Sequence, residues 1–211
     1  MKLIDLTHTF ESTMTVFPGM NPAVVEQIFN VEEHGYNVTR LEIITHMGTH
    51  LDCKSHVFTE GFTTSDKDIN NFCGNGVVID CSHLKANEEI GIDVLNNYDL
   101  HEKEFLLFYT GWDKYWNSNK YIENFPVISV ELAQYLASIN IKGIGLDVIS
   151  IDRVNNSELS THKIVLGKNK IIIENLKGLN ELVDKNFTFM CLPLKIKDGD
   201  GSPIRAVAII E

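Results

Sequence analysis

Eleven residues, His46-Met-Gly-Thr-His50-Leu-Asp52-Cys-Lys-Ser-His56, hold three histidines and an aspartate. Imidazole nitrogen and carboxylate oxygen suit zinc, manganese or iron, and three protein ligands plus an open position is the catalytic arrangement. The absence of a thiolate pair argues against a closed structural zinc site. The preceding Leu41-Glu-Ile-Ile-Thr45 is strand-like and Gly48 is a poor helix residue. His46 and His50 are therefore expected to leave a strand into a tight turn and not to share a helix face. The glutamate of an HExxH helix is missing, which removes the familiar zinc-protease reading. Cys53, one thiol beside hard ligands, reads as a small packed residue.

Short β-branched runs dominate the elements that must position these groups. They are Leu3 to Leu6, Val38 to Thr45, Gly76 to Asp80, Phe105 to Tyr109, Gly143 to Val148, Lys170 to Glu174, Phe187 to Leu192 and Ile204 to Ile210. Each is bounded by Gly, Asn, Asp or Pro, the strand signature. Helical periodicity is clearest in Ser129 to Asn140, where Ser129 can cap the first turn and Val130, Leu132, Ala133, Leu136 and Ala137 form an apolar stripe. Weaker helical patterns fit Asp93 to Asn97 and Leu176 to Val183. Many strands and few helices predict a mixed α+β or α/β domain with a large curved sheet. Asp198-Gly-Asp-Gly reads as a hairpin turn.

The 211 residues, 44% hydrophobic, suit a single domain spanning 1–211. With 29 acidic and 18 basic residues the formal charge is −11, and no Lys/Arg cluster stands out. Phosphate backbones and anionic lipids both reward such clusters, so neither nucleic acid nor a membrane is an expected partner. Asp5 and His8 interrupt any apolar core of a signal peptide, and no apolar run approaches the roughly 18–20 residues of a membrane span. Four cysteines without a CxxC pair argue against a disulfide scaffold. A cytoplasmic protein is expected.

The motif HxGTHxDxxxH resembles the signature of the cyclase-type metal-dependent hydrolases, the family that includes bacterial kynurenine formamidase and isatin hydrolase. The resemblance starts at Asp5-Leu-Thr-His8 and Val16-Phe17-Pro-Gly19 and continues through Gly145-Leu-Asp147-Val-Ile-Ser150-Ile-Asp152. It then takes in His162 and Ile173-Glu174-Asn175-Leu176, and closes with Gly201-Ser-Pro-Ile-Arg205-Ala-Val-Ala208. It implies the swivelling β/β/α fold, with His46, His50 and Asp52 on one divalent metal and Asp52 able to bridge to a second. His162 and Glu174 match the family residues that complete the second position. Independently, a carboxylate such as Glu174 at the end of an apolar strand is costly to bury without a cation. The resemblance gives His56 the proton-transfer role, and an imidazole titrates in the range of a metal-activated water.

Two departures bear on substrate. Phe17 stands where kynurenine formamidases commonly carry tryptophan, and still offers an aromatic wall. Lys54 replaces a common proline two residues after the metal-binding aspartate. A cation there could favour a carboxylate-bearing substrate, or Lys54 could simply point to water. The expected activity is metal-dependent hydrolysis of a non-peptide amide, arylformamidase-like, with one or two zinc or manganese ions per chain. Alternatives are ring-opening of a cyclic amide or lactone, and a metal- and ligand-binding protein without turnover. The family resemblance also implies a homo-oligomer, dimer or tetramer. Should His56 prove a bystander, Asp147 is the next base to consider.

Overall fold

The computed structural model describes residues 1–210. Among these residues thirteen strands run in chain order, beginning with β1 (Lys2–Asp5), β2 (Val24–Phe29), β3 (Val38–Glu42), β4 (His50–Asp52), β5 (Cys73–Asp80), β6 (Glu89–Ile90) and β7 (Phe105–Tyr109). They continue as β8 (Val127–Ile128), β9 (Gly143–Leu146), β10 (Ile171–Glu174), β11 (Phe187–Met190), β12 (Gly201–Pro203) and β13 (Val207–Ile210). The helices are α1 (Val31–His34), α2 (Val130–Ser138) and α3 (Ser160–Gly167). Nine strands form one sheet in the order β1-β13-β11-β5-β7-β9-β10-β4-β12. The central run β5-β7-β9-β10 is parallel and its flanks are antiparallel.

The central strands explain the two-sided core. β7 and β10 are buried along nearly their whole length, as parallel strands covered on both faces must be. Side chains alternate between faces with period two. Leu106, Phe108, Ile144 and Ile172 therefore join the cluster under α2 and α3, while Phe105, Leu107, Ile171 and Ile173 join the opposite cluster. That second cluster also takes Ile4 from β1, Leu51 from β4 and Ala208 from β13, so the sheet curls and its two ends share one interior. Backbone bonds close the curl. Leu6 N donates to Ala206 O, and Lys177 N donates to Leu6 O.

α2 forms where its apolar stripe predicts. Ser129 Oγ accepts from Leu132 N at 3.1 Å, and Leu132, Ala133, Leu136 and Ala137 are buried. Elsewhere the elements depart from the sequence pattern. The run from Val38 ends as a strand at Glu42, because it belongs to a separate two-stranded ribbon with β2 and not to the large sheet. The helical readings at 93–97 and 176–183 shrink to single 3-10 turns, Ile92–Leu95 and Leu179–Leu182. The turn of the histidine motif lies between β3, which ends at Glu42, and β4: His46 is in the turn as expected, whereas His50, after Gly48 (φ +62°), already belongs to the following strand. The 198–201 segment does not join β11 to β13 as a hairpin; it leads into β12, which pairs with β4.

Leu107 is fully buried inside the curl. Leu107→Ala should destabilise the fold by about 2–5 kcal/mol, measured as a lower urea midpoint with an unchanged m-value; a loss below 1 kcal/mol would mean that the two ends do not share a core.

Candidate metal centre

Strand register builds the centre. β4 lies antiparallel between β10 and β12, with His50 opposite Glu174 and Asp52 opposite both Ile172 and Gly201. Period two sends His50 and Asp52 to one face while Leu51 enters the core. His50 Nε2 thereby comes within 3.4 Å of Glu174 Oε2 and 3.4 Å of Asp52 Oδ1. His162 arrives from the first turn of α3, with Nε2 3.3 Å from Glu174 Oε1 and 3.7 Å from Asp52 Oδ2. His46 Nδ1 lies 2.7 Å from Asp52 Oδ1. His50, Asp52, His162 and Glu174 are buried.

Each of these three histidines turns one nitrogen inward and gives the other to an acceptor. His50 Nδ1 faces Gly48 O at 2.9 Å, His162 Nδ1 faces Asp152 Oδ2 at 2.7 Å, and His46 Nε2 faces Asp200 Oδ2 at 2.9 Å. Such outward bonds fix tautomer and ring orientation in metal sites. Asp152 also accepts from Thr161 N and His162 N, so the carboxylate that orients His162 caps its helix as well. Asn175 fixes the motif's turn by donating to Gly48 O at 2.8 Å, and itself accepts from the Tyr121 hydroxyl. Gly201 must lack a side chain, since a Cβ there would sit 2.7 Å from His46 Cε1.

The donor set fits a divalent cation. Asp52 Oδ2 is buried and meets no hydrogen-bond donor, a state that costs several kcal/mol unless a positive charge offsets it. Two groups of ligand atoms converge through Asp52: His46, His50 and Asp52, and then Asp52, His162 and Glu174, each within 4.8 Å. Burial alone would lower His46, but Asp52 and Asp200 outweigh it and push its pKa up to about 10. Burial likewise opposes, and Asp152 and Glu174 overcome it, in raising His162 to about 10. Asp52, which burial would raise, is held well below the usual carboxylate range by His46. A cation would compete with those protons.

His56 closes the rim from the 3-10 turn Lys54–His56. Its ring centroid is 3.9 Å from that of His46, and its Nδ1 is 3.7 Å from Asp200 Oδ2. Burial lowers its pKa, only partly opposed by Asp52. Above the polar cluster opens a cavity of ≈ 200 Å³, walled by Val16, Phe17, Met20, Ile44, Met47 and Leu159. Lys54 is not among its lining residues; its ammonium donates to Asn169 Oδ1 at 3.1 Å on the exposed surface. Cys53 is fully buried, and its thiol is pushed up to about 12 by burial. Asp147 is enclosed away from the cavity, accepting from Thr110 N, the Thr110 hydroxyl and Gly111 N, so it is no reserve base. Asp200 is the functional-site neighbour that the hairpin reading of Asp198-Gly-Asp-Gly missed. Its signal was a pair of acids among glycines, with no local hint of its partner.

A buried imidazole–carboxylate cluster on the floor of an apolar cavity is the build of a small-molecule hydrolase. The sequence profile of the Cyclase family, described as "Putative cyclase", matches residues 4–153, and the chain belongs to that family. It is similar to the kynurenine formamidase of Bacillus cereus (strain ZK / E33L), 33% identical over 97% of this chain and 95% of that protein. The kynurenine formamidase of Geobacillus thermodenitrificans (strain NG80-2) is 34% identical, over 96% and 95%. Among solved structures, a "predicted metal-dependent hydrolase" from Bacillus stearothermophilus superposes with TM-score 0.81 at 27% identity, covering 98% of this chain and 97% of that one. Isatin hydrolase A from Labrenzia aggregata shares the fold, with TM-score 0.88 at 24% identity over 99% and 93%.

The metal-free protein should lose stability as pH rises. His46 and His162 titrate near 10 when folded against about 6.5 unfolded, so their contribution is complete below pH 6.5 and is lost on the way to pH 10. Asp147, pushed up to about 7 by burial, acts in the same direction between about pH 4 and 7. Calorimetry of chelator-treated protein should show a Tm falling from pH 6.5 to 10, and Asp200→Asn should flatten that limb by removing one of the groups that raise His46. A flat wild-type limb would contradict the ion pairs.

Proposed function

We propose that the protein is a metal-dependent arylformamidase, hydrolysing a formyl amide on an aromatic amine to formate and the free amine. The observation that carries this reading is Asp52, which offers Oδ1 to His46 and His50 and Oδ2 to the side of His162 and Glu174. His46, His50 and Asp52 would hold one divalent cation and Asp52, His162 and Glu174 would hold a second, and imidazole with carboxylate suits zinc, with manganese next. Similarity to kynurenine formamidases over nearly the whole chain supports the formyl amide.

When bound, such a metal supplies Lewis acidity and lowers the pKa of water to near 7. The chain's own groups do the rest. His56, neutral at pH 7 by its lowered pKa, can take the proton of the attacking water and return it to the leaving nitrogen. Asp200 lies beside both His46 and His56 and steadies the pair. Phe17 and Met20 exclude water and hold the apolar part of the substrate. The four cysteines are free, three of them buried, which agrees with a cytoplasmic setting. No helix among the described residues is long and apolar enough to cross a membrane. The β2–β3 ribbon exposes Val25, Ile28 and Leu41, and we read it as contributing to a homo-oligomer.

Metal analysis with a formanilide assay tests the reading. Wild-type protein should hold two metals per chain, Asp52→Ala should lose both with all activity, and His162→Ala should retain one. Full occupancy and turnover in Asp52→Ala would overturn the ligand assignment. His56→Ala should keep its metal while kcat falls about 10²–10⁴-fold, the usual worth of general acid–base catalysis; loss of metal instead would make His56 a ligand.

A further inference from the structure

Leu159 stands immediately before α3 with φ 48° and ψ 46°, in the left-handed region. L side chains are disfavoured there, and the residues that tolerate it are glycine, then asparagine and aspartate. Among the described residues eight other non-glycine positions have positive φ, and seven of them are Asn or Asp while the eighth is Glu102. Leu159 is the one apolar residue in the set. Its surroundings impose the conformation. Asp152 holds Thr161 N, His162 N and the Asn156 amide, and Leu159 N donates to Asn156 O at 3.2 Å.

Strain of this kind persists only where something else requires it, and it gathers at functional sites. Core packing does not require it here: Leu159 is half-buried and belongs to none of the three apolar clusters, whereas Phe17 packs against the largest of them. Leu159 instead lines the same cavity as His46, His50 and His162, together with Phe17, Met20 and Met47.

We infer that Leu159 is a specificity-determining residue, kept in a left-handed backbone because its side chain there is the wall against which a flat apolar group of the substrate packs. This rests on the amide-hydrolase reading above, and assigns the aryl side of that substrate to one residue of the cavity wall. Glycine would suit the backbone at 159 better and would remove the wall.

The test is Leu159→Gly and Leu159→Asn in the full-length, metal-loaded protein, each backbone-compatible but lacking the apolar side chain. Both variants should keep their metal content and show an equal or higher Tm. Their kcat/KM for formanilide should fall roughly tenfold to hundredfold, chiefly through KM, with N-butylformamide affected far less. Calorimetric Kd for acetanilide, used as a less reactive probe of binding, should rise by a similar factor. A drop in Tm or metal content would overturn the inference by making Leu159 structural, and so would unchanged KM, Kd and aryl preference. If wild-type protein hydrolyses no formamide at all yet acetanilide binding still depends on Leu159, the functional reading fails and the specificity role stands.

Discussion

A carboxylate oxygen buried without a donor is the constraint around which this molecule is arranged. Asp52 sits on β4 with its backbone locked between two neighbouring strands, so it cannot swing out to water. One oxygen faces His46 and His50; the other, unpartnered, faces His162 and Glu174. Burial of a second carboxylate nearby, Glu174, would only add repulsion unless imidazoles or a cation intervened. The register of β4 against β10, the approach of α3 and the turn at Gly48 all serve to bring positive or metal-binding groups to that place.

Around the centre the same device recurs three times with different chemistry. A backbone carbonyl orients His50, while one carboxylate orients His162 and another His46. Asp152 does two tasks, since it caps α3 and aims the histidine that α3 carries. That economy transmits strain: the helix start dictated by Asp152 leaves Leu159 in a conformation that few leucines adopt.

Part of the centre was legible because three of its groups, His46, His50 and Asp52, lie in one short motif, while His162 and Glu174 come from far along the chain. Histidines and an aspartate at positions 46, 50, 52 and 56 announce themselves whatever strand they occupy, and the apolar runs of β7, β10 and β11 mark the sheet. What the sequence hides is non-local. His-Leu-Asp is too short and too polar to read as a strand, and becomes β4 only because β10 and β12 flank it. α3 has a short apolar stripe and takes its cap from Asp152, several residues upstream, so no local signal marks its start. Asp200 contacts a histidine 154 positions earlier, a relation that no window of residues contains.

The placement of β4 also says something about how the chain comes to be folded. Both of its strand partners lie more than a hundred residues further along, and β12 is among the last strands of all. During synthesis the histidine motif would therefore emerge long before anything can pair with it. Such long-range pairing makes folding slow, and it leaves the motif's imidazoles and carboxylate without their strand neighbours until those are made. Within residues 1–210, the surroundings of Asp52 are therefore complete only after β10 and β12 have been made.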